Sequence, residues 1–192
     1  MLKTLSLVAA VFGFAAMLSA QTAAPGPDTF KVGYFSHAQM LGPDGTVRIT
    51  NVGSSITTPG SGNLCAMIYV FEPDQQLAEC CGCMITPDGL LTLSIDQNLT
   101  ANPLTPVVLT TGAIKVVSST GSPVCNPAKP TPVTGIRAWG THIQQPGGFV
   151  TETEFVDSTL STGELNLLKN KCNSILNNGS GFGVCTCGTG TD

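Results

Sequence analysis

Eight cysteines are the residues of this 192-residue chain whose type and spacing could do chemistry. Three of them fall in the segment CCGC at residues 80–83, and two more fall in CTC at residues 185–187. Closely spaced thiolates bind soft metals such as Cu(I) or Zn(II), so the two segments are a candidate metal or redox site. The usual zinc spacing of two separated C-x-x-C pairs is absent, because the single C-x-x-C contains a further cysteine.

The even number of cysteines favours disulfides over a metal site. Adjacent cysteines rarely bridge each other, since the geometry strains the peptide, and each thiol of the CC-x-C segment therefore needs a distant partner. The pairing stays open, because eight cysteines allow many connectivities. We predict that all of them are in disulfides and that the protein needs no metal and no cofactor. The residues concerned are Cys65, Cys80, Cys81, Cys83, Cys125, Cys172, Cys185 and Cys187.

Few other side chains are candidates for catalysis. His37 and His142 could each act as a base or a ligand, although an isolated histidine in a strand is usually a hydrogen-bonded structural residue. The sequence has no G-x-S-x-G motif, and catalysis by a Cys-His pair would need a free thiol. Glu152 and Glu154 would share one face of a strand and are candidate carboxylates of a hydrolase or a Ca²⁺ site, and Asp157 is a further candidate for the hydrolase. We favour a solvated strand whose charges discourage aggregation.

The N-terminus has the pattern of an export signal. Lys3 precedes an apolar run that ends at Leu18 and is followed by small residues, so we predict a signal peptide at 1–20 that is removed after Ala20. The run is short for a membrane span, and we expect no span after cleavage. Residues 21–192 suffice for a single domain. Export to the periplasm or the extracellular space agrees with the even cysteine count.

The net charge of −4 argues against nucleic acid as a partner, because binding to phosphates needs a basic surface. Only 10% of the residues are charged, whereas 42% are apolar. Self-association or binding to a cell-surface partner is the interaction that such a surface favours.

Alternation of apolar and polar residues predicts a mainly β protein. Thr46–Val52 alternates along its length, whereas Cys65–Phe71 is apolar on both faces and should be a central strand. Pro-Asp pairs at 43–44, 73–74 and 87–88 predict chain reversals. The remaining predicted strands are Phe30–Phe35, Leu90–Ile95, Ala113–Ser118, Gly135–Ile143 and Phe149–Val156.

One helix is predicted near the C-terminus, at about 161–177. Ser161 and Glu164 form a capping box, and apolar residues recur at helical spacing up to Ile175, which places Cys172 on the buried face. The predicted fold is a disulfide-stabilised β-sandwich, immunoglobulin-like or similar, of about seven or eight strands, with this helix and a Cys-rich tail.

Three segments carry a resemblance to known proteins: NLCAMIYVFEPDQQLAECCGC, RAWGTHIQ and LSTGELNLLKNKCNSILNNGSGFGVCTCG. Over most of the mature chain they resemble a group of uncharacterised secreted Cys-rich bacterial proteins. In that group a strand with a cysteine, a CC-x-C stretch and a helix followed by GSG-x-G-x-C recur. The resemblance implies a bacterial periplasmic or extracellular protein. It transfers no activity, cofactor or catalytic residue.

Three hypotheses follow for the function. The first is a secreted, non-catalytic structural, adhesive or binding module of the cell envelope or extracellular space, with self-association as its extension. The second is an extracytoplasmic metal-binding protein that uses the CC-x-C and C-x-C cysteines, together with His37 or His142. The third is an extracellular polymer hydrolase that uses Glu152, Glu154 or Asp157.

Overall fold

The computed structural model describes residues 29–36, 44–53, 62–121, 124–144 and 149–188. The predicted signal peptide and His37 lie outside these ranges. The predicted mainly β fold with one late helix is confirmed. The elements, in chain order, are β1 (Phe30–Ser36), β2 (Thr46–Asn51), β3 (Leu64–Phe71), β4 (Leu77–Ile85), β5 (Leu90–Ser94), a single π-helical turn (Ile95–Leu99), β6 (Thr111–Thr120), β7 (Ile136–Gln144), β8 (Phe149–Glu154), β9 (Val156–Asp157) and α1 (Thr162–Asn177).

The nine strands belong to one hydrogen-bonded sheet. Its order is β4-β3-β6-β1-β7-β2-β5, while β8 pairs with β7 and β9 pairs with β1. The two outermost strands, β4 and β5, follow each other in the chain through a tight turn in which Gly89 N donates to Thr86 O at 2.9 Å. The sheet therefore curls towards its own edges, like half of a barrel.

The two separate sheets of a β-sandwich are not observed, because the ladder runs on from β1 to β7. Direct pairing of these two strands is limited to Ser36 and His142. The β8–β9 segment spans the same junction, since β8 pairs with β7 and β9 then pairs with β1. The half of the sheet that ends at β1 is therefore connected to the half that begins at β7 by few backbone pairs. In a β-sandwich, the hydrogen-bonded ladder would be interrupted at this point.

The inner face of the curled sheet encloses the larger hydrophobic core. Ile68 of β3 and Val116 of β6 belong to the same buried cluster as Ile49 of β2 and Leu93 of β5. All four side chains are fully buried. Strands that lie far apart in the ladder thus share one core, and burial of these apolar residues stabilises the curl.

A second, smaller core lies on the outer face, under the helix. Leu168, Cys172 and Ile175 project from one side of α1 and pack with Met67 and Tyr69 of β3. All eight residues of β3 are buried, because the strand is covered on both faces. The predicted central strand and the predicted burial of Cys172 are both confirmed.

The ends of α1 follow the sequence signals in part. Ser161 Oγ accepts a hydrogen bond from Glu164 N at 3.1 Å, as expected for an N-cap. The Glu164 side chain does not complete the capping box, because its Oε1 accepts from Lys115 Nζ at 2.7 Å. The helix ends at Asn177, and Gly179 follows with a φ of 71°, a conformation that favours glycine.

Candidate functional site

Strand β4 carries the CC-x-C segment, and its geometry explains why adjacent cysteines do not bridge each other. Successive side chains of a strand point to opposite faces. Cys80 therefore belongs to the outer core, whereas Cys81 and Cys83 belong to the inner core. The backbone at Cys125 passes directly over Gly82 on the outer face of β4. A side chain at this position would clash, because a Cβ on Gly82 would be 2.2 Å from Cys125 O.

Each cysteine of β4 forms a disulfide with a cysteine near the C-terminus. A further disulfide attaches the proline-rich loop that carries Cys125 to β3. All eight cysteines are paired, so the prediction of four disulfides is confirmed. The bridges are Cys80–Cys172, with a Cα–Cα distance of 5.9 Å, Cys81–Cys185 at 5.1 Å, Cys83–Cys187 at 5.4 Å and Cys65–Cys125 at 5.5 Å. The helix and the tail are thus attached covalently to one strand.

The tail also covers the outer edge of β4. Cys80 N donates to Gly183 O at 2.9 Å, and Cys185 N donates to Cys80 O at 3.4 Å. Further along, Thr186 N donates to Asn98 O at 2.9 Å, in the π-helical turn after β5. The tail therefore lies in the seam between the first and last strands of the sheet. The tail thus occupies the backbone groups of Cys80 and blocks strand addition at this point of the edge.

A metal site built from these cysteines would require reduction of the bridges, because a sulfur bonded to another sulfur is not a thiolate. Over the ranges that the structure describes, no group of three His, Cys, Asp or Glu residues is placed to hold a metal ion. No helix in those ranges is both long and apolar enough to cross a membrane.

His142 is a buried residue of β7. Its ring stacks on Tyr34 with 3.9 Å between the ring centroids, and its Nε2 shares a 2.6 Å hydrogen bond with Thr153 Oγ1. Burial lowers the pKa of the imidazole, which favours the neutral ring. These contacts agree with the interpretation of His142 as a structural residue.

The predicted carboxylates do not converge. Glu152 and Glu154 share a face of β8, but Glu152 pairs with Arg48 and Glu154 pairs with Arg137. Asp157 pairs with Lys31 on β1. Each of the three carboxylates is thus held by a basic residue of a different strand, which gives no support to a glycosidase pair.

Glu79 is a buried carboxyl group that the sequence analysis missed. It lies on β4 just before the cysteines and is 0% exposed. Its Oε1 accepts from Asn102 N at 2.8 Å, while its Oε2 is buried with no partner among the described residues. Burial raises the pKa of Glu79 to about 7, although the hydrogen bond from Asn102 opposes the shift. A glutamate that directly precedes two cysteines in a buried strand is the signal that could have revealed it.

A cavity that the sequence analysis also missed lies between α1 and the outer face of the sheet. We call it the Phe71 cavity. Its volume is about 540 Å³. Its lining includes Tyr34, Phe71, Lys115, Leu167 and Lys171, together with the acidic Glu72.

Comparison with known proteins gives one structural similarity. No protein-family model and no curated protein matches the chain. Among solved structures, the chain is similar to the crystal structure of Thermotoga maritima 1070, with 11% sequence identity and a TM-score of 0.41, over 68% of this chain and 97% of that chain.

The disulfide framework predicts the behaviour of the intact protein under alkylation. Under denaturing conditions without reductant, we expect no mass increase, because all eight thiols are in bridges. After reduction, we expect eight additions. Measurement of intact mass by mass spectrometry distinguishes the two states, and alkylation of two or more cysteines before reduction would contradict the framework.

Proposed function

We propose that this protein is an exported, non-catalytic structural module of the bacterial cell envelope or extracellular space, which associates with a second copy of itself through strand β8. The observation that carries the proposal is the complete exposure of β8: all six of its residues are exposed. Four disulfides fit an oxidising compartment and a rigid module. The alternatives, a thiolate metal site and a polymer hydrolase, have no comparable support from the geometry.

The free edge of β8 is suited to strand addition. In the part of the chain that the structure describes, β8 pairs with β7 on one side and with no strand on the other. An unpaired edge presents backbone N–H and C=O groups to a second strand. Phe149 and Val150 on this strand are 73% and 52% exposed, and Val156 just beyond it is 68% exposed. Pairing of two β8 strands would bury these side chains.

Charge repulsion between two copies is reduced by the ion pairs of β8. Glu152 and Glu154 each contact an arginine of their own sheet, so the strand lacks the unpaired charges that commonly protect an edge. Of the other edge strands, β4 is hydrogen-bonded to the tail at Cys80 and β5 is only partly exposed, whereas every residue of β8 is exposed.

Sedimentation velocity over a concentration series tests this proposal. We expect the wild-type protein, without its signal peptide, to dimerise as its concentration rises. Val150→Glu should weaken the dimer, because it places an unpaired charge on the interface. Val124→Glu is the matched control, since Val124 is 74% exposed on the loop pinned to β3, and it should behave as the wild type. A wild-type protein that stays monomeric at every concentration would refute the proposal.

A further inference from the structure

The Phe71 cavity combines apolar walls with two ammonium groups. Phe71 of β3 forms its floor, and the exposed sides of Tyr34 and Leu167 form its walls. Gly112 and Ala113 of β6 also line it. Its volume of about 540 Å³ lies within the range of small-molecule sites, roughly 300–1,000 Å³.

Both ammonium groups lie over the same aromatic ring. Lys115 Nζ is 4.7 Å from the centroid of the Phe71 ring, and Lys171 Nζ is 5.9 Å from it. An aromatic face attracts a cation and so holds each lysine head group at the cavity. Two like charges on one ring repel each other, and a bound anion would relieve that repulsion.

Lys171 is the cation that is available to a ligand. Lys115 is partly neutralised by Glu164, at 2.7 Å. Lys171 has no carboxylate within ion-pair distance among the described residues, whereas Lys31, Arg48 and Arg137 each have one. The Lys171 ammonium group can therefore bind an anionic group without breaking an existing ion pair.

The acidic residue of the cavity limits the charge of the ligand. Glu72 also lines it, is 7% exposed, and accepts a hydrogen bond at Oε1 from Thr105 Oγ1 at 2.6 Å. Its negative charge offsets part of the attraction from the lysines. A ligand with a single negative charge therefore fits the cavity better than a polyanion.

We propose that the Phe71 cavity binds a small organic monoanion with a flat apolar body, such as an aromatic carboxylate or sulfonate. The acid group lies between the ammonium groups of Lys171 and Lys115, and the apolar body packs on the exposed sides of Tyr34 and Leu167. This site lies on the outer face of the sheet and is independent of association through β8.

Fluorescence titration with two dyes of similar ring structure tests the site. The anionic dye is 8-anilinonaphthalene-1-sulfonate, and the neutral one is N-phenyl-1-naphthylamine. We expect saturable binding of the anionic dye, tighter than that of the neutral dye, and competition by 4-phenylbutyrate. Lys171→Gln should weaken binding of the anionic dye by about tenfold, the loss expected for one charge-assisted contact, and leave the neutral dye unchanged.

Lys169→Gln is the matched control. Lys169 lies on the same helix but does not line the cavity, so its loss should leave both dyes unaffected. Lys171→Arg keeps the positive charge and should retain binding of the anionic dye. Equal affinities in Lys171→Gln and Lys169→Gln, or neutral dye that binds as tightly as the anionic dye, would overturn the proposal. Monomeric protein that still binds the anionic dye would refute the β8 proposal alone.

Discussion

Removal of both tail bridges, by alanine at Cys81, Cys83, Cys185 and Cys187, should lower the free energy of unfolding by about 5 kcal/mol. With Cys80–Cys172 intact, the first tail bridge closes a ring of roughly 15 residues, worth about 3 kcal/mol. The second then closes a ring of only a few residues, worth about 2 kcal/mol. Equilibrium denaturation of the oxidised variant measures the loss.

The matched control for this variant removes one bridge alone. Cys83→Ala with Cys187→Ala should cost only about 2 kcal/mol, because Cys81–Cys185 still holds the tail on β4. The two losses should therefore differ by more than a factor of two. A one-bridge variant that loses as much stability as the two-bridge variant would contradict this expectation, because Cys81–Cys185 alone would then contribute nothing.

Glu79→Gln should stabilise the protein at pH 8 and leave it almost unchanged at pH 4. The pKa of Glu79 is about 7 in the folded protein, against its ordinary value of 4.5. Between these two values the folded state holds a proton that the unfolded state has lost. The stability contributed by this group is thus present below pH 4.5 and is lost as the pH rises through about 7, a change of about 3 kcal/mol.

The quantity to measure is the difference in free energy of unfolding between the wild type and Glu79→Gln at each pH. The wild-type profile alone also contains the contribution of His142. Burial lowers the pKa of His142, so its contribution to stability falls as the pH drops below about 6.5, opposite in sign to that of Glu79. Urea denaturation of both proteins from pH 4 to pH 8 isolates the Glu79 contribution. Glu152→Gln, at an exposed carboxylate of β8, is the control. Parallel pH profiles of wild type and Glu79→Gln would contradict the assignment.

Much of the secondary structure could be predicted because its signals are local. Val47 and Ile49 are buried, while Arg48 and Thr50 are half-buried, as the alternation in β2 predicts. The spacing of apolar residues in α1 likewise places Cys172 on its buried face. In both elements the period of the pattern matches the geometry of the backbone.

The parts that were not predicted depend on contacts between distant residues. The cysteines of the CC-x-C segment were predicted to be in disulfides, but no strand was predicted there, so β4 and its buried Glu79 were missed. The joining of the two halves into one sheet depends on β1 lying beside β7, which local alternation does not encode. The Phe71 cavity requires Lys171 of the helix to meet Phe71 of β3, residues that are 100 positions apart.

The disulfide map has a consequence for the order in which the chain can be oxidised. Synthesis runs from the N-terminus, and the partners of the three β4 cysteines all lie in the last segment, from Cys172 to Cys187. While that segment is still being made, Cys65–Cys125 is the one native bridge that can close. An oxidase acting on the emerging chain would meet the β4 thiols before their native partners are present, and an isomerase, or oxidation after synthesis is complete, would then favour the native pairing.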